Sequence, residues 1–356
     1  MPRGPATRCA LAFTALTASL AVALPAGAQP APHAPTQIVF LGTGGGPPLR
    51  VDRSEPSTLL IVGGRYYLID CGIGTARRLV EAGIESKDVK TIIFTHLHAD
   101  HDMGLADVMA NDVFTRGQEG AADPINIYGP PQTKELVDSA FHFVSIGFRP
   151  FASENPRAYQ KTGGDVADPF VAHEIAAGGR VFQDDKIRID AVENSHYALM
   201  PASDRQVLKS YAYRIETPDG VIVFTGDTGS SAAVEKIAKG ADVLVTEASY
   251  RDAHDLEQSM KARVARSHVP PEVINVFHDH FISEHLDAAQ IGRLAAGAGV
   301  KSVVLYHYNP NDRADQLAYV AAVKHAFPGP VFAPNDLDRL CLSSGVLARC
   351  QRTAPR

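Results

Sequence analysis

Thr91-Ile92-Ile93-Phe94-Thr95-His96-Leu97-His98-Ala99-Asp100-His101-Asp102-Met103-Gly104-Leu105 is the most informative stretch of the chain. Its first five residues form an apolar, β-branched run of the kind that makes a buried strand. They lead directly into three imidazoles and a carboxylate within six residues: His96, His98, Asp100 and His101. Neutral nitrogen and anionic oxygen donors at this density are a ligand set that divalent zinc accepts. One histidine at a strand end reads as a satisfied core or surface side chain. Four ligand types packed together do not.

The same arrangement recurs downstream. Apolar run 187–192 leads to His196, 221–225 leads through Gly226 to Asp227, 243–246 leads to Glu247, and 303–306 leads to His307. Upstream, 38–41 reads as a strand, 58–62 and 66–70 as a hairpin about Gly63-Gly64, and 75–81 as a helix. Helical stretches at 105–109, 132–143, 232–239, 288–296 and 314–327 fill the intervals. Strands alternating with helices predict α/β or α+β layers. In such layers, sites gather at the carboxyl ends of strands, where the sheet fixes the side chains and the loops leave room for a ligand. No composition break marks a second domain.

His-x-His-x-Asp-His followed by Gly104-Leu105 resembles the signature of the metallo-β-lactamase superfamily. Phe40-Leu41-Gly42-Thr43-Gly44, Leu68-Ile69-Asp70-Cys71-Gly72, Thr225-Gly226-Asp227-Thr228, Glu247-Ala248-Ser249 and Leu305-Tyr306-His307 resemble further parts of it. Within it the chain is similar to the ribonuclease Z-like branch, which also holds exported arylsulfatases and phosphodiesterases. The support is spacing: Asp227 to Glu247 is 20 residues, and His285, in Ser283-Glu284-His285, stands 22 residues before His307. The resemblance spans 38–342 and implies a four-layer αββα sandwich, with one hydrolase domain over 36–345 and a tail over 346–356.

The resemblance implies one metal held by His96, His98 and His196 and a second by Asp100, His101 and His307, with Asp227 bridging them. Two divalent ions ~3.5–4 Å apart need an anionic bridge and can share a hydroxide. Two Zn2+ per chain are the expectation, with Mn2+ or Fe2+ as alternatives. His196 is preferred over its competitor His173 because it follows a strand-like run. In that branch the pair equivalent to Glu247 and His285 assists proton transfer to the leaving group; the other reading is a couple that only orients ligands. Asp100 is also expected to orient the nucleophile, and Asp70 to steady a ligand histidine from behind. His278 and His280 fall outside the family pattern and are assigned no role, like His33, His142, His254, His268 and His325.

Residues 1–28 differ from the rest. Arg3 and Arg8 precede an apolar run over 9–24, and Ala26-Gly27-Ala28 offers a small-residue cleavage site, so 1–28 is expected to be a secretory signal peptide. The alternative, a retained anchor, would rest on 16 residues where a span needs ~20. Residues 29–35 are expected to be a flexible leader. The mature protein would be periplasmic or secreted, its formal charge shifting from −6 to −8 as the two arginines leave. Cys341 and Cys350 could then pair, leaving Cys71 as a buried thiol.

An acidic chain is a poor partner for a polyanion, because phosphate contacts need clustered Lys and Arg. Only 31 positions separate His196 from Asp227, too few for the long basic arm of tRNA-processing members. A small-molecule ester is therefore the expected substrate and tRNA an unlikely partner. A homodimer is allowed by the resemblance, with no interface stripe legible. The aromatic segment 141–180 reads either as a lid over the metals or as an insertion packing its own satellite core. A phosphodiesterase or arylsulfatase-like activity is favoured. A lactonase or thioesterase would share the ligands without needing Glu247 and His285, and a β-lactamase would generally lack Asp227. A di-iron redox protein or a metal binder without turnover is the alternative from another class.

Overall fold

The computed structural model describes Met1, Gly4 and residues 34–351, apart from 120–122, 160–165, 267–269 and 309–312. The expected signal peptide, apart from Met1 and Gly4, and residues 29–33 of the leader lie outside the described residues. In chain order the first half contains β1 (Thr36–Gly42), β2 (Ser57–Val62), β3 (Arg65–Ile69), α1 (Thr75–Glu81), β4 (Val89–Ile93), α2 (Ala99–Asp102), α3 (Leu105–Glu119), β5 (Ile125–Gly129), α4 (Thr133–Glu154), α5 (Pro156–Tyr159) and β6 (Phe170–Glu174). The second half contains β7 (Gly179–Gln183), β8 (Arg188–Glu193), β9 (Tyr211–Thr217), β10 (Gly220–Phe224), α6 (Ala232–Ala238), β11 (Val243–Ala248), α7 (Ala253–Arg266), α8 (Pro271–Glu284), α9 (Ala288–Ala298), β12 (Ser302–Tyr308), α10 (Arg313–Lys324) and β13 (Val331–Phe332). The chain then closes with β14 (Arg339–Ser343) and β15 (Val346–Arg349).

Among the described residues these strands form two sheets, ordered β15-β14-β1-β2-β3-β4-β5-β6 and β13-β12-β11-β10-β9-β8-β7. Alternation along the strands explains the stacking, because successive side chains point to opposite faces. On β1, Ile38 and Phe40 face inward to a core shared with Ile189, Tyr213, Ile222 and Val245 of the other sheet. Val39 and Leu41 face outward to a second core under α1, α3 and α4. Val223, Leu244, Val303 and Leu305 of the second sheet face outward to a third core under α6, α9 and α10. Both faces of the central strands of each sheet are buried, and the result is the expected four-layer αββα sandwich.

Strand direction places the site. β3, β4, β5 and β6 run parallel in the first sheet, and β10, β11 and β12 run parallel in the second. Asp70 and His96 therefore leave the first sheet at the same end, as Asp227, Glu247 and His307 leave the second. The hairpin between β2 and β3 turns at Gly63 and Gly64, with φ +56° and +82°. Two successive positive φ values suit the right-handed twist of the flanking strands and require residues without a Cβ.

Several expectations change. Helices α3 and α4 run well beyond 105–109 and 132–143, the latter continuing past Pro150 to Glu154. Within the aromatic segment 141–180, Phe148, Tyr159 and Phe170 are buried in the outer core beneath the first sheet, while Phe143 and Phe151 are exposed. These buried rings belong to the same core as Val39 and Leu41 of β1 and Phe94 just after β4, not to a separate core of their own. The sheet also continues past residue 345, since β15 pairs with β14 from Leu340 opposite Arg349 to Ser343 opposite Val346. Cys341 and Cys350 form a disulfide across that hairpin, and Cys71 is a buried free thiol. Among the described residues no helix is long and apolar enough to cross a membrane.

Candidate metal centre

His96, His98, Asp100 and His101 converge because α2 is only one turn long and is stapled in place. His101 N–H donates to the His98 carbonyl at 2.8 Å, Cys71 N–H to the His101 carbonyl at 2.7 Å, and Gly104 N–H to the Cys71 carbonyl at 2.9 Å. Gly45 and Gly46 cross the same spot. A Cβ on Gly46 would stand 2.4 Å from Asp100 Cβ, and one on Gly45 2.6 Å from His307 Nδ1. The backbone there is close enough for Gly46 N–H to donate to Asp100 Oδ2 at 2.9 Å.

All seven residues expected as ligands meet. His96, His98 and His196 form one set of donor atoms lying within 4.8 Å of one another, and Asp100, His101 and His307 form another. Asp227 lies between the sets: its Oδ2 is 4.0 Å from His196 Nε2, 3.6 Å from His101 Nε2 and 3.1 Å from His307 Nε2. The competitor His173 is elsewhere, on β6, bonded to Asn126 and stacked on Tyr128.

A cation fits this cluster. His96 Nε2, His101 Nε2, Asp227 Oδ1 and both ring nitrogens of His307 are buried without a hydrogen-bond partner. Buried polar atoms are nearly always satisfied, and lone pairs that converge without a protein partner suit a bound cation. Neighbouring bonds fix several tautomers so that those lone pairs face inward. His101 Nδ1 donates to Asp70 Oδ2 at 2.9 Å, leaving its Nε2 free, and His196 Nδ1 donates to the Glu284 carbonyl at 3.2 Å, which turns its Nε2 toward His98 Nδ1, 3.0 Å away. Asp70 is itself held by Thr95, whose N–H and hydroxyl both donate to it. Asp70 and His307 adopt φ +57° and +56°, strained backbone that clusters at functional positions.

The charges suit the same purpose. Burial pushes His96 and His196 well below the usual histidine range and His98 down to about 4, so these imidazoles are neutral. Burial opposes a charge on Asp227, yet His307 and His101 hold its carboxyl well below the usual range. Burial likewise opposes a charge on His307, but Asp227 and Asp100 lift its pKa to about 10, so a cation bound there would have to displace that proton.

Beside the ligands lies a second polar group. Glu247 is completely buried, accepts from Thr228 N–H at 2.7 Å, and takes short bonds from Ser249 Oγ and His285 Nδ1. His285 Nε2 is 3.1 Å from His280 Nε2, and His280 Nδ1 donates to Glu284 Oε2 at 2.6 Å. Burial works against a charged His285, but Glu247 raises its pKa. His280, outside the motif pattern, and Glu284 and Ser249, inside it but given no role, are therefore parts of the site. The cue available in sequence was that His280 and Glu284 lie four apart, one helical turn. His278, by contrast, is a surface residue beside Asp279.

The cleft over these groups encloses about 540 Å³. Its floor includes His98, Asp100, Asp227, His285 and His307, and one wall is apolar, formed by Leu199, Met200, Val276, Phe277 and Phe281.

Residues 65–308 match the beta-lactamase superfamily domain. A ribonuclease Z from Mycobacterium sp. (strain KMS) is 29% identical over 316 residues, covering 88% of this chain and 98% of that protein. The metallo-beta-lactamase fold protein YhfI from Bacillus subtilis superposes with a TM-score of 0.59 at 17% identity, covering 86% of this chain and 98% of that one. The short form of human tRNase Z gives 0.56 at 18% identity, covering 86% and 99%. The chain belongs to the beta-lactamase superfamily, and its fold and ligand cluster are those of a metal-dependent hydrolase.

Proposed function

We propose that this protein is an exported hydrolase that cleaves a small phosphodiester or sulfate ester at a binuclear centre, with zinc the preferred occupant. The observation that carries this reading is the Glu247–His285 couple on the edge of the ligand cluster, its donor atoms close to those of Asp227 and His196. A lactone or thioester site has the same metals to use and no need of that couple.

His96, His98 and His196 would hold one ion, Asp100, His101 and His307 the other, and Asp227 would contact both. When bound, such a pair of ions supplies a nucleophilic hydroxide near neutral pH and polarises the ester oxygen. The chain's own residues do the rest. Asp100, fixed by Gly46 N–H, orients the attacking water. Glu247 keeps His285 protonated and its Nε2 turned toward the cleft, where it donates to the departing oxygen.

The size and charge of the cleft favour a small substrate. Among its described lining residues there is no Lys or Arg to meet a nucleic-acid backbone, and the chain is acidic. The ribonuclease Z name of its relatives points the other way, and the assay below should include a precursor tRNA for that reason. The Cys341–Cys350 bridge supports an oxidising compartment, in keeping with export.

The test is turnover of matched nitrophenyl esters (a phosphodiester, a sulfate, a carboxylate and a lactone analogue) together with a precursor tRNA, by zinc-loaded protein. Preference for the phosphodiester or sulfate, lowered about 100-fold or more in His285→Ala, is expected. Preference for acyl substrates, indifferent to His285, would contradict the proposal, as would cleavage of the tRNA alone.

A further inference from the structure

Helix α8 turns one face toward the cleft. Val276, Phe277, His280, Phe281 and Glu284 are spaced by one, three, one and three residues, the spacing of a single helical face, and all five line the cleft. Two of its apolar side chains are left open to solvent: Val276 is 69% exposed and Phe277 39%. Leu199, 55% exposed, extends the wall from the loop after His196. Scattered exposed apolar residues are ordinary. A row of them converging on a few fixed polar groups is how a ligand pocket is built.

The orientation of His285 decides which part of a substrate meets this wall. Its Nδ1 is committed to Glu247, so the proton it can give is on Nε2, which lies 3.1 Å from His280 Nε2 on α8. The ring of Phe281 stands 5.0 Å from that of His285. An oxygen that takes the Nε2 proton must come within about 3 Å of it, and whatever that oxygen carries then lies along α8. In that step the ester P–O or S–O bond breaks, its electron pair stays on the leaving oxygen, and the Nε2 proton joins it. Water supplies the new oxygen on phosphorus or sulfur and the proton that restores His285.

We infer that α8, with Leu199 and Met200, is a leaving-group subsite that selects a neutral, apolar alcohol or phenol. This rests on the proposed role of His285 as proton donor. No lining Lys or Arg, among the described residues, offers a partner for an anionic leaving group, and the Glu284 carboxylate on α8 already accepts from Leu199 N–H and His280 Nδ1.

Two ester series with zinc-loaded protein test it. In one, a methyl aryl phosphate carries a para-alkyl chain growing from methyl to butyl on the departing phenol, whose acidity stays nearly constant. In the other, the same chain grows on the retained ester oxygen. Each methylene on the phenol should raise kcat/KM about two- to fourfold, and the retained series should be flat. The increments should shrink in Val276→Ser and shrink further with Phe277→Ser, each variant's melting temperature being measured alongside. Equal gains in both series, gains confined to the retained series, or increments unchanged in the variants would overturn the assignment. Calorimetric binding of the para-alkylphenols separates this inference from the proposed reaction. If no ester turns over, the reaction is wrong. A phenol affinity independent of chain length, or unaltered by the substitutions, overturns the subsite by itself.

Discussion

Asp70 holds His101 from behind: the imidazole Nδ1 donates to the Asp70 carboxylate at 2.9 Å, while both polar groups of Thr95 bind the same carboxylate. A carboxylate in this position fixes the tautomer of a metal-binding histidine and raises its basicity. Replacing it leaves every proposed ligand in place but lets one ring turn. Asp70→Ala should weaken zinc binding about 10–100-fold, measured by competition with a chromophoric chelator. Unchanged affinity would show that the ring is held by packing alone.

Glu247 makes the protonated form of His285 persist above the ordinary histidine range. A raised folded-state pKa means that the proton, and the stability it contributes, are fully present below the unfolded value and are lost as pH rises through the folded value. With His285 as acid, kcat/KM should hold through neutral pH and fall on the alkaline side. In Glu247→Gln that fall should move to lower pH. An alkaline limb that stays in place would assign it to another group.

Tyr213 on β9 reaches across the sandwich, its hydroxyl donating to the Phe94 carbonyl at 2.7 Å, two residues before His96. Both residues are fully buried. Tyr213→Phe removes the donor and strands a buried carbonyl, which costs about 1–3 kcal/mol. Urea denaturation should show a lower midpoint with an unchanged slope. A midpoint equal to the parent's would mean that this carbonyl finds another donor.

Gly46 has no room for a side chain, since a Cβ would press on Asp100. Gly46→Ala should displace the carboxylate and reduce kcat/KM on the order of 100-fold, the scale of a misplacement near 1 Å. Its thermal stability without metal should change much less. A fully active variant would show that the loop carrying Gly46 can back away.

The parts of this site that are legible in sequence are those tied to regular strands. Residues such as His96, Asp227 and His307 follow buried apolar runs, and parallel strands bring those ends to one edge. His280 and Glu284 were hidden for physical reasons. Helix α8 divides its apolar residues between the cleft and a small core, where Ile274 and Phe281 pack against Tyr250, Leu256 and Met260, which blurs the periodicity that marks a helix. The contact that matters joins His280 to His285, five residues on, where α8 has ended and the backbone is extended at φ −131°. No helical spacing encodes that pair. The aromatic residues of 141–180 left two readings open, since rings on a long helix serve a core as readily as a lid.

The central claim is that two ions held by these seven ligands drive ester hydrolysis. The most direct measurement is phosphodiester turnover by chelator-stripped protein as zinc is returned in known amounts. Activity should be absent at the start, rise with added zinc and level off at two equivalents per chain. Turnover that survives complete metal removal, or a plateau at a single equivalent, would contradict the account.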